Sequence, residues 1–254
     1  MSPTVSESPS PADDTLRFTD VRVAFEAGRQ VLRGLTAEVS TRELTFIAGA
    51  SGSGKSVLCR MAVGLLRPDA GQVELWGERV DTRPERELVR LRRKAPYLVQ
   101  GPALLDWRTL RENVRLADPE APAEDVEAAL AQVGLVEWAD RLPPELGPGA
   151  KKRAAIARAL VLKPRYLLLD EPTTGLDRRA ASQVEEVLAS LKARGLGGLV
   201  VTHDYRQLKG LADRVLVVAG GQCAYLGPPA GFLESSAPEL RVLTAPFMEG
   251  ATDG

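Results

Sequence analysis

The chain has 254 residues, enough for one large domain or two small ones with an ample core. Its 33 basic and 34 acidic residues leave a net charge of −1, which argues against a surface built to wrap nucleic acid or to adsorb to a membrane. Two distant cysteines, Cys59 and Cys223, make neither a disulfide framework nor a metal cluster. No apolar run approaches the roughly 18 residues of a membrane span, so direct membrane insertion is not expected and the cytoplasm is the expected compartment.

In chain order, residues 1–14 are Ser/Pro-rich and acidic and predict a disordered tail. Residues 16–25 alternate and predict a strand, and a turn at Ala27-Gly28-Arg29 leads to a second strand over 31–39. Phe25 closes the first strand, where its ring either stacks on a base, an interaction of about 1–3 kcal/mol, or finishes the edge of the core. Residues 44–48 form a short apolar run that reads as a buried strand.

Gly49-Ala50-Ser51-Gly52-Ser53-Gly54-Lys55-Ser56 follows at once, and a helix is predicted from Val57 to Val63. Strand, glycine-rich turn and helix start together make an anion site. Glycines let backbone N–H groups converge on phosphate oxygens, and the helix terminus adds partial positive charge. Lys55 is placed to reach the β- and γ-phosphates of a nucleotide, and the Ser56 hydroxyl to ligate Mg²⁺.

A turn at Arg67-Pro68-Asp69-Ala70-Gly71 precedes a strand over 72–77. Residues 83–94 carry both signs of charge and predict a solvated helix face. A short strand over 97–100 ends on Gln100, and Thr109 is placed to cap a helix over 110–116. From about 101 to 163 the pattern becomes mainly helical, with helices over 123–133 and 150–162, and reads as a subdomain inserted into an α/β core. The core then resumes: a strand over 166–171 ends in Asp170 and Glu171, a helix covers 178–194, and a strand over 198–203 ends in His203. A short helix over 205–212 and strands over 214–218 and 222–226 complete it. Such alternation predicts a mostly parallel sheet with its ligands at the C-terminal strand ends. There Asp170 is placed to hold Mg²⁺ through water, Glu171 to orient or deprotonate an attacking water, and Gln100 and His203 to converge on the same γ-phosphate.

These motifs resemble the ATPase subunit of an ABC transporter from about Leu16 to beyond Leu226. Residues 49–56 match Walker A and 166–171 match Walker B with its catalytic glutamate. Thr174-Gly175-Leu176-Asp177 resembles the D-loop and Gln100 the Q-loop. His203 falls at the switch-histidine position and Phe25 at that of the adenine-stacking aromatic. The resemblance implies an ABC-type P-loop NTPase domain over 15–245, with an N-terminal antiparallel β part, and a C-terminal tail over 246–254. It implies ATP and Mg²⁺ as ligands, with Phe25, residues 49–56 and Val57 on the nucleotide. Ser56, Gln100 and Asp170 fall to the metal, and Glu171, His203 and Gln100 to catalysis. It also implies a separate membrane permease, which residues 100–114 are similar to the docking surface for, a second ATPase subunit, no nucleic acid, and a peripheral place on the inner face of the cell membrane.

One motif departs from the family. The Leu-Ser-Gly-Gly-Gln signature reads Leu146-Gly147-Pro148-Gly149-Ala150 here, which removes a hydroxyl donor at Gly147 and a backbone N–H at Pro148. Gly149 and the following helix terminus keep some affinity for a phosphate across a dimer. Either a homodimer hydrolyses ATP slowly or the chain pairs with a subunit bearing an intact signature. Lys151-Lys152-Arg153 and residues 237–243 resemble the lipid-trafficking (Mla/MCE-type) ATPases, against which stands import or export of a small solute. A soluble, non-transport member and a low-turnover regulatory subunit are the further alternatives.

Overall fold

The structure, a computed structural model, describes residues 14–25 and 28–238 together with Leu240, Arg241 and Leu243. The predicted tails at 1–13 and 246–254, and Ala27 of the first predicted turn, lie outside the described residues. Asp14, assigned to the first tail, instead joins the fold: its carbonyl accepts from Thr41 N at 2.7 Å and its carboxylate pairs with Arg42 at 2.7 Å.

Two sheets form the frame. The first is antiparallel, in the order β2 (Arg29–Ser40), β1 (Thr15–Phe25), β4 (Ala70–Leu75), β5 (Glu78–Arg79). The second has the order β10 (Gln222–Gly227), β9 (Arg214–Ala219), β3 (Leu44–Ala48), β8 (Gly198–Val201), β7 (Leu167–Asp170), β6 (Tyr97–Leu98). All its pairings are parallel except that of the edge strand β10.

The parallel strands are continuous apolar runs because both of their faces are covered. Phe46, Leu167, Leu169, Val200, Val215 and Val217 enter one core; Ile47, Leu168, Leu199, Val201, Leu216 and Val218 enter the other. The period-two alternation divides the sheet's two faces between different layers. The second core is closed by the antiparallel sheet and by α1 (Lys55–Ala62), whose Leu58, Cys59, Met61 and Ala62 are buried there. The first core is closed by α3 (Leu110–Arg115), α4 (Ala123–Gln132), α5 (Pro148–Leu160) and α6 (Arg178–Ala193).

Several element ends differ from expectation. Strand β6 stops at Leu98 and β8 at Val201, so Gln100 and His203 sit in the loops just beyond their strands rather than at strand ends. Helix α5 starts at Pro148, two residues earlier than expected, because proline is well placed in a first helical turn, where its missing N–H is not needed. The charged stretch forms α2 (Glu85–Lys94), but Leu88 and Leu91 are buried, so only part of its surface is solvated. The expected helix over 205–212 is a 3₁₀ turn, Tyr205–Gln207, followed by α7 (Leu208–Leu211). Among the described residues, the short β5, α8 (Pro229–Leu233) and the 3₁₀ turns Val136–Trp138 and Pro143–Glu145 were not anticipated. The predicted cap of α3 is present in full. Glu112 N reaches Thr109 Oγ1 at 3.2 Å and Thr109 N reaches the Glu112 carboxylate at 2.8 Å.

Candidate functional site

The phosphate-type loop runs from the end of β3 into α1, and its shape depends on glycine. Gly49 has φ +148°, and a Cβ there would sit 2.4 Å from the Val218 carbonyl oxygen. Gly54, at φ +108°, starts α1, and a Cβ would press to 2.7 Å from Leu32. Inside the loop the Ser53 hydroxyl is buried and has no hydrogen-bond partner among the described residues. Lys55 is also buried and donates to the carbonyls of Gly49 at 2.8 Å and Ala50 at 2.9 Å. Burial lowers the pKa of its ammonium, while the carboxylates of Glu171 and Asp170 oppose that shift. A buried cation, an orphaned hydroxyl and two glycine positions with no room for a Cβ are the features a phosphate group would use.

Across from the loop, β7 delivers Asp170 and Glu171. Asp170 accepts from Ser56 Oγ on Oδ1 at 2.8 Å and from Tyr97 OH on Oδ2 at 2.7 Å. Burial first, and then this hydrogen bond, push the Tyr97 phenol well above the usual tyrosine range. A serine hydroxyl beside a strand-end carboxylate is a donor set suited to Mg²⁺ with water and phosphate oxygens completing the shell. The residues present therefore fit the metal, with Ser56 and Asp170 as the candidates to hold it.

Glu171 is the node of the site. Its carboxylate accepts from Gln100 Nε2 at 3.0 Å and from Thr174 Oγ1 at 3.0 Å, and His203 Nε2 contacts its other oxygen. Its backbone is left-handed, with φ +51°, a conformation that costs a non-glycine residue about 1–3 kcal/mol and persists only when held. Glu171 N donates to Val201 O at 3.1 Å, and its carbonyl accepts from Lys152 Nζ at 3.1 Å and Thr174 N at 3.3 Å. Behind His203, the buried Gln207 bridges buried Thr202 and half-buried Thr173. It accepts from Thr202 Oγ1 at 2.9 Å and donates to Thr173 Oγ1 at 2.7 Å, which links the His203 loop to the segment after Glu171.

Lys55, Ser56, Gln100, Asp170, Glu171 and His203 are thus brought together, as sequence reasoning expected. Ala50, Ser51 and Gly52 form the exposed outer rim of the loop, and Val57 packs in the first turn of α1. Phe25 stands exposed at the end of β1. Gly147 and Gly149 are not in this cluster; they lie at the start of α5. Gly147 is its exposed N-cap residue, but Gly149 is buried, with Ala180 where its Cβ would be. Tyr97 and Gln207 were missed as site residues, and Thr174 and Lys152 were read only within the D-loop and the basic triplet. Tyr97 carried one readable signal, an aromatic hydroxyl opening the strand that leads to Gln100; the others depend on tertiary contacts.

Comparison with known proteins agrees with this geometry. The ABC transporter family model matches residues 32–174. The chain is 35% identical over 221 residues to the energy-coupling factor transporter ATP-binding protein EcfA of Methanothermobacter thermautotrophicus, which covers 84% of this chain and 71% of the relative. It is 34% identical over 237 residues to the octopine permease ATP-binding protein P of Agrobacterium tumefaciens, covering 87% and 90%. A dimeric ATP-binding cassette in a post-hydrolysis state, bound to ADP and phosphate, superposes with a TM-score of 0.76 at 25% identity, covering 84% of this chain and 98% of that one.

Proposed function

The chain belongs to the ABC transporter family as an ATP-binding subunit with ATPase chemistry, and from that premise we propose that it is the motor of a two-ATPase assembly that drives a separate membrane permease. The observation that carries this reading is the convergence on Glu171 of Gln100, Thr174 and His203, beside the Lys55–Ser56–Asp170 cluster. Residues 49–56 bind the phosphates of ATP, and Lys55 turns from the loop carbonyls to the β- and γ-phosphates. Ser56, Asp170 and Gln100 would hold Mg²⁺, which when bound would supply positive charge against that developing on the phosphates. Glu171 takes the proton of the attacking water, His203 steadies that carboxylate and the γ-phosphate, and Phe25 offers its exposed ring to the base.

ATP closes two such domains head to tail, so that residues 146–150 of each face the nucleotide of the other, and release of products reopens them. Residues 15–245 act as one ATPase domain, in which 101–163 is the moving helical part. No helix among the described residues is long and apolar enough to cross a membrane, so the membrane attachment we propose, on the inner face, is through the permease.

For the cargo, a small solute is the first reading. It is supported by the likeness to the octopine permease subunit and by an internal use for the basic triplet on which the lipid reading leans. Lys152 donates to carbonyls within the chain, and Arg153 donates to Val133 O at 2.7 Å at the end of α4. The lipid reading keeps the sequence of 237–243, part of which lies outside the described residues. The test is purification of E171Q from detergent-solubilised native membranes with ATP present. A polytopic membrane protein that leaves with ATP-free washing, and whose complex with the wild-type chain hydrolyses ATP, supports the motor. Capture of soluble partners alone would sink it, and lipid or solute bound to the permease decides the cargo.

A further inference from the structure

In the first turns of α5 the basic residues Lys152 and Arg153 face different partners, Arg153 the carbonyl of Val133 and Lys152 the candidate site. Lys152 Nζ donates to the carbonyl oxygen of Glu171 at 3.1 Å and also hydrogen-bonds to the carbonyl oxygen of Gln100. Those two residues are themselves joined side chain to side chain, Gln100 Nε2 to Glu171 Oε2 at 3.0 Å. One ammonium therefore closes a ring through the backbone of both members of the pair. Two turns further on, Arg158 donates to the carbonyls of Ala103 at 2.6 Å and Pro102 at 3.1 Å, so α5 grips the Gln100 loop at both ends.

We infer that Lys152 is a positioning residue that ties α5 to the Gln100–Glu171 pair, so that displacement of α5 is felt at the backbone of Glu171. The physical case rests on what Lys152 holds. The Glu171 backbone is left-handed and needs outside contacts to stay so. The carbonyl of Gln100 lies beyond the end of β6 and has no strand partner there. A charged donor strengthens both bonds relative to a neutral one. Burial lowers the pKa of the Lys152 ammonium, but the carboxylates of Glu171 and Asp170 oppose that shift. Met at this position would keep the length and lose every donor. Arg would keep charge and donors. Because α5 begins with residues 147–150, which under the proposed function face the second subunit's nucleotide, this tie links the contents of one site to the catalytic carboxylate of the other.

The experiment compares K152M, K152R and the wild-type full chain by amide hydrogen exchange without nucleotide. In K152M the amides of Glu171 and Thr174, which donate to Val201 O and to Glu171 O, exchange about tenfold faster than in wild type, those of residues 154–160 stay protected, and K152R returns to the wild-type pattern. Unchanged exchange at Glu171 and Thr174 in K152M overturns the inference. If K152M loses protection throughout α5, K152Q, which keeps an amide donor without charge, takes its place and the same amides decide. Steady-state hydrolysis adds a second reading: kcat falls about tenfold in K152M with KM within twofold, and a change in KM alone counts against positioning. Should the wild-type chain bind no ATP, the proposed function fails, while the exchange comparison still decides the role of Lys152.

Discussion

Tyr97 donates its hydroxyl to Asp170 at 2.7 Å, on the carboxylate oxygen opposite the one that Ser56 reaches at 2.8 Å. Asp170 is buried, so Y97F leaves one of its charged oxygens without that partner. A hydrogen bond to a charged group contributes about 1.5–3 kcal/mol, and in a domain of this size Y97F is expected to melt roughly 3–12 °C lower. Adding Mg²⁺ and ATP should narrow the gap, because the carboxylate regains a partner. Calorimetry with and without nucleotide checks both parts; an equal deficit in the two conditions would separate Tyr97 from the metal site.

The same bond sets a pH dependence. Burial and Asp170 raise the folded-state pKa of Tyr97, so the folded chain keeps a proton that the unfolded chain releases near pH 10. The contribution is therefore complete below about pH 10 and is lost as the pH rises above it. Tyr166, fully buried, is shifted the same way and persists in both proteins. Denaturant titrations from pH 8 to 11 should show wild type losing stability more steeply than Y97F above pH 10. Parallel curves would mean that the phenol ionises alike in both states.

Glu171 and His203 are in direct contact, and in the proposed mechanism His203 steadies the carboxylate that takes the proton of the water. E171Q should keep ATP binding and lose about 10²–10⁴-fold in turnover, the usual range for removing a general base. H203A should fall in the same direction, and the double variant should be little worse than E171Q, as residues acting as a unit are not additive. Single-turnover hydrolysis on all three variants measures this. Multiplicative losses would place His203 on a separate step.

The pattern of which residues could be read beforehand follows from how local their signals are. Walker A needs a strand, three glycines and a helix start within one short segment, and the fold reproduced it. The parallel strands were legible because β3, β7 and β8 are buried on every residue and so read as unbroken apolar runs. Gln100 and His203 were rightly grouped with Glu171, yet their strands end before them, because sheet pairing stops while the chain bends toward the site. Lys152 was read only within a basic triplet resembling the lipid-trafficking ATPases, because nothing in the order of residues tells that two carbonyls, 52 and 19 positions away, will meet it. The Gln207 bridge between Thr202 and Thr173 was invisible for the same reason.

The two glycines at the start of α5 should respond in opposite ways to serine. A Cβ on Gly149 would lie 2.7 Å from Ala180 Cβ, so G149S forces α5 from α6 and should cost about 1–3 kcal/mol. Gly147 has open space around its Cβ position and an extended backbone, with no side-chain cap on the helix. G147S can accept an N–H of the first turn and should leave stability level or raise it by a few tenths of a kcal/mol. Chemical denaturation of the two variants separates a packing role from a capping role at positions two residues apart.

That freedom at Gly147 makes the departure from the family signature reversible. The combined variant G147S, P148G, A150Q restores a hydroxyl and a backbone N–H at the start of α5, each able to reach a phosphate across a dimer. If the chain acts as a homodimer limited by its signature, ATP hydrolysis by the purified variant should rise about tenfold or more, since one hydrogen bond to a charged group corresponds to roughly that factor. If the natural assembly instead pairs this chain with a different ATPase subunit, the homodimer rate stays where it was. Mixing with that subunit, in place of the repair, is then what raises the rate. P148G alone is the control for helix stability, because glycine in the first turn gives up the φ that proline pre-sets. A higher rate in the triple variant with a melting temperature no higher than that of G147S would assign the gain to phosphate contact rather than to a firmer helix.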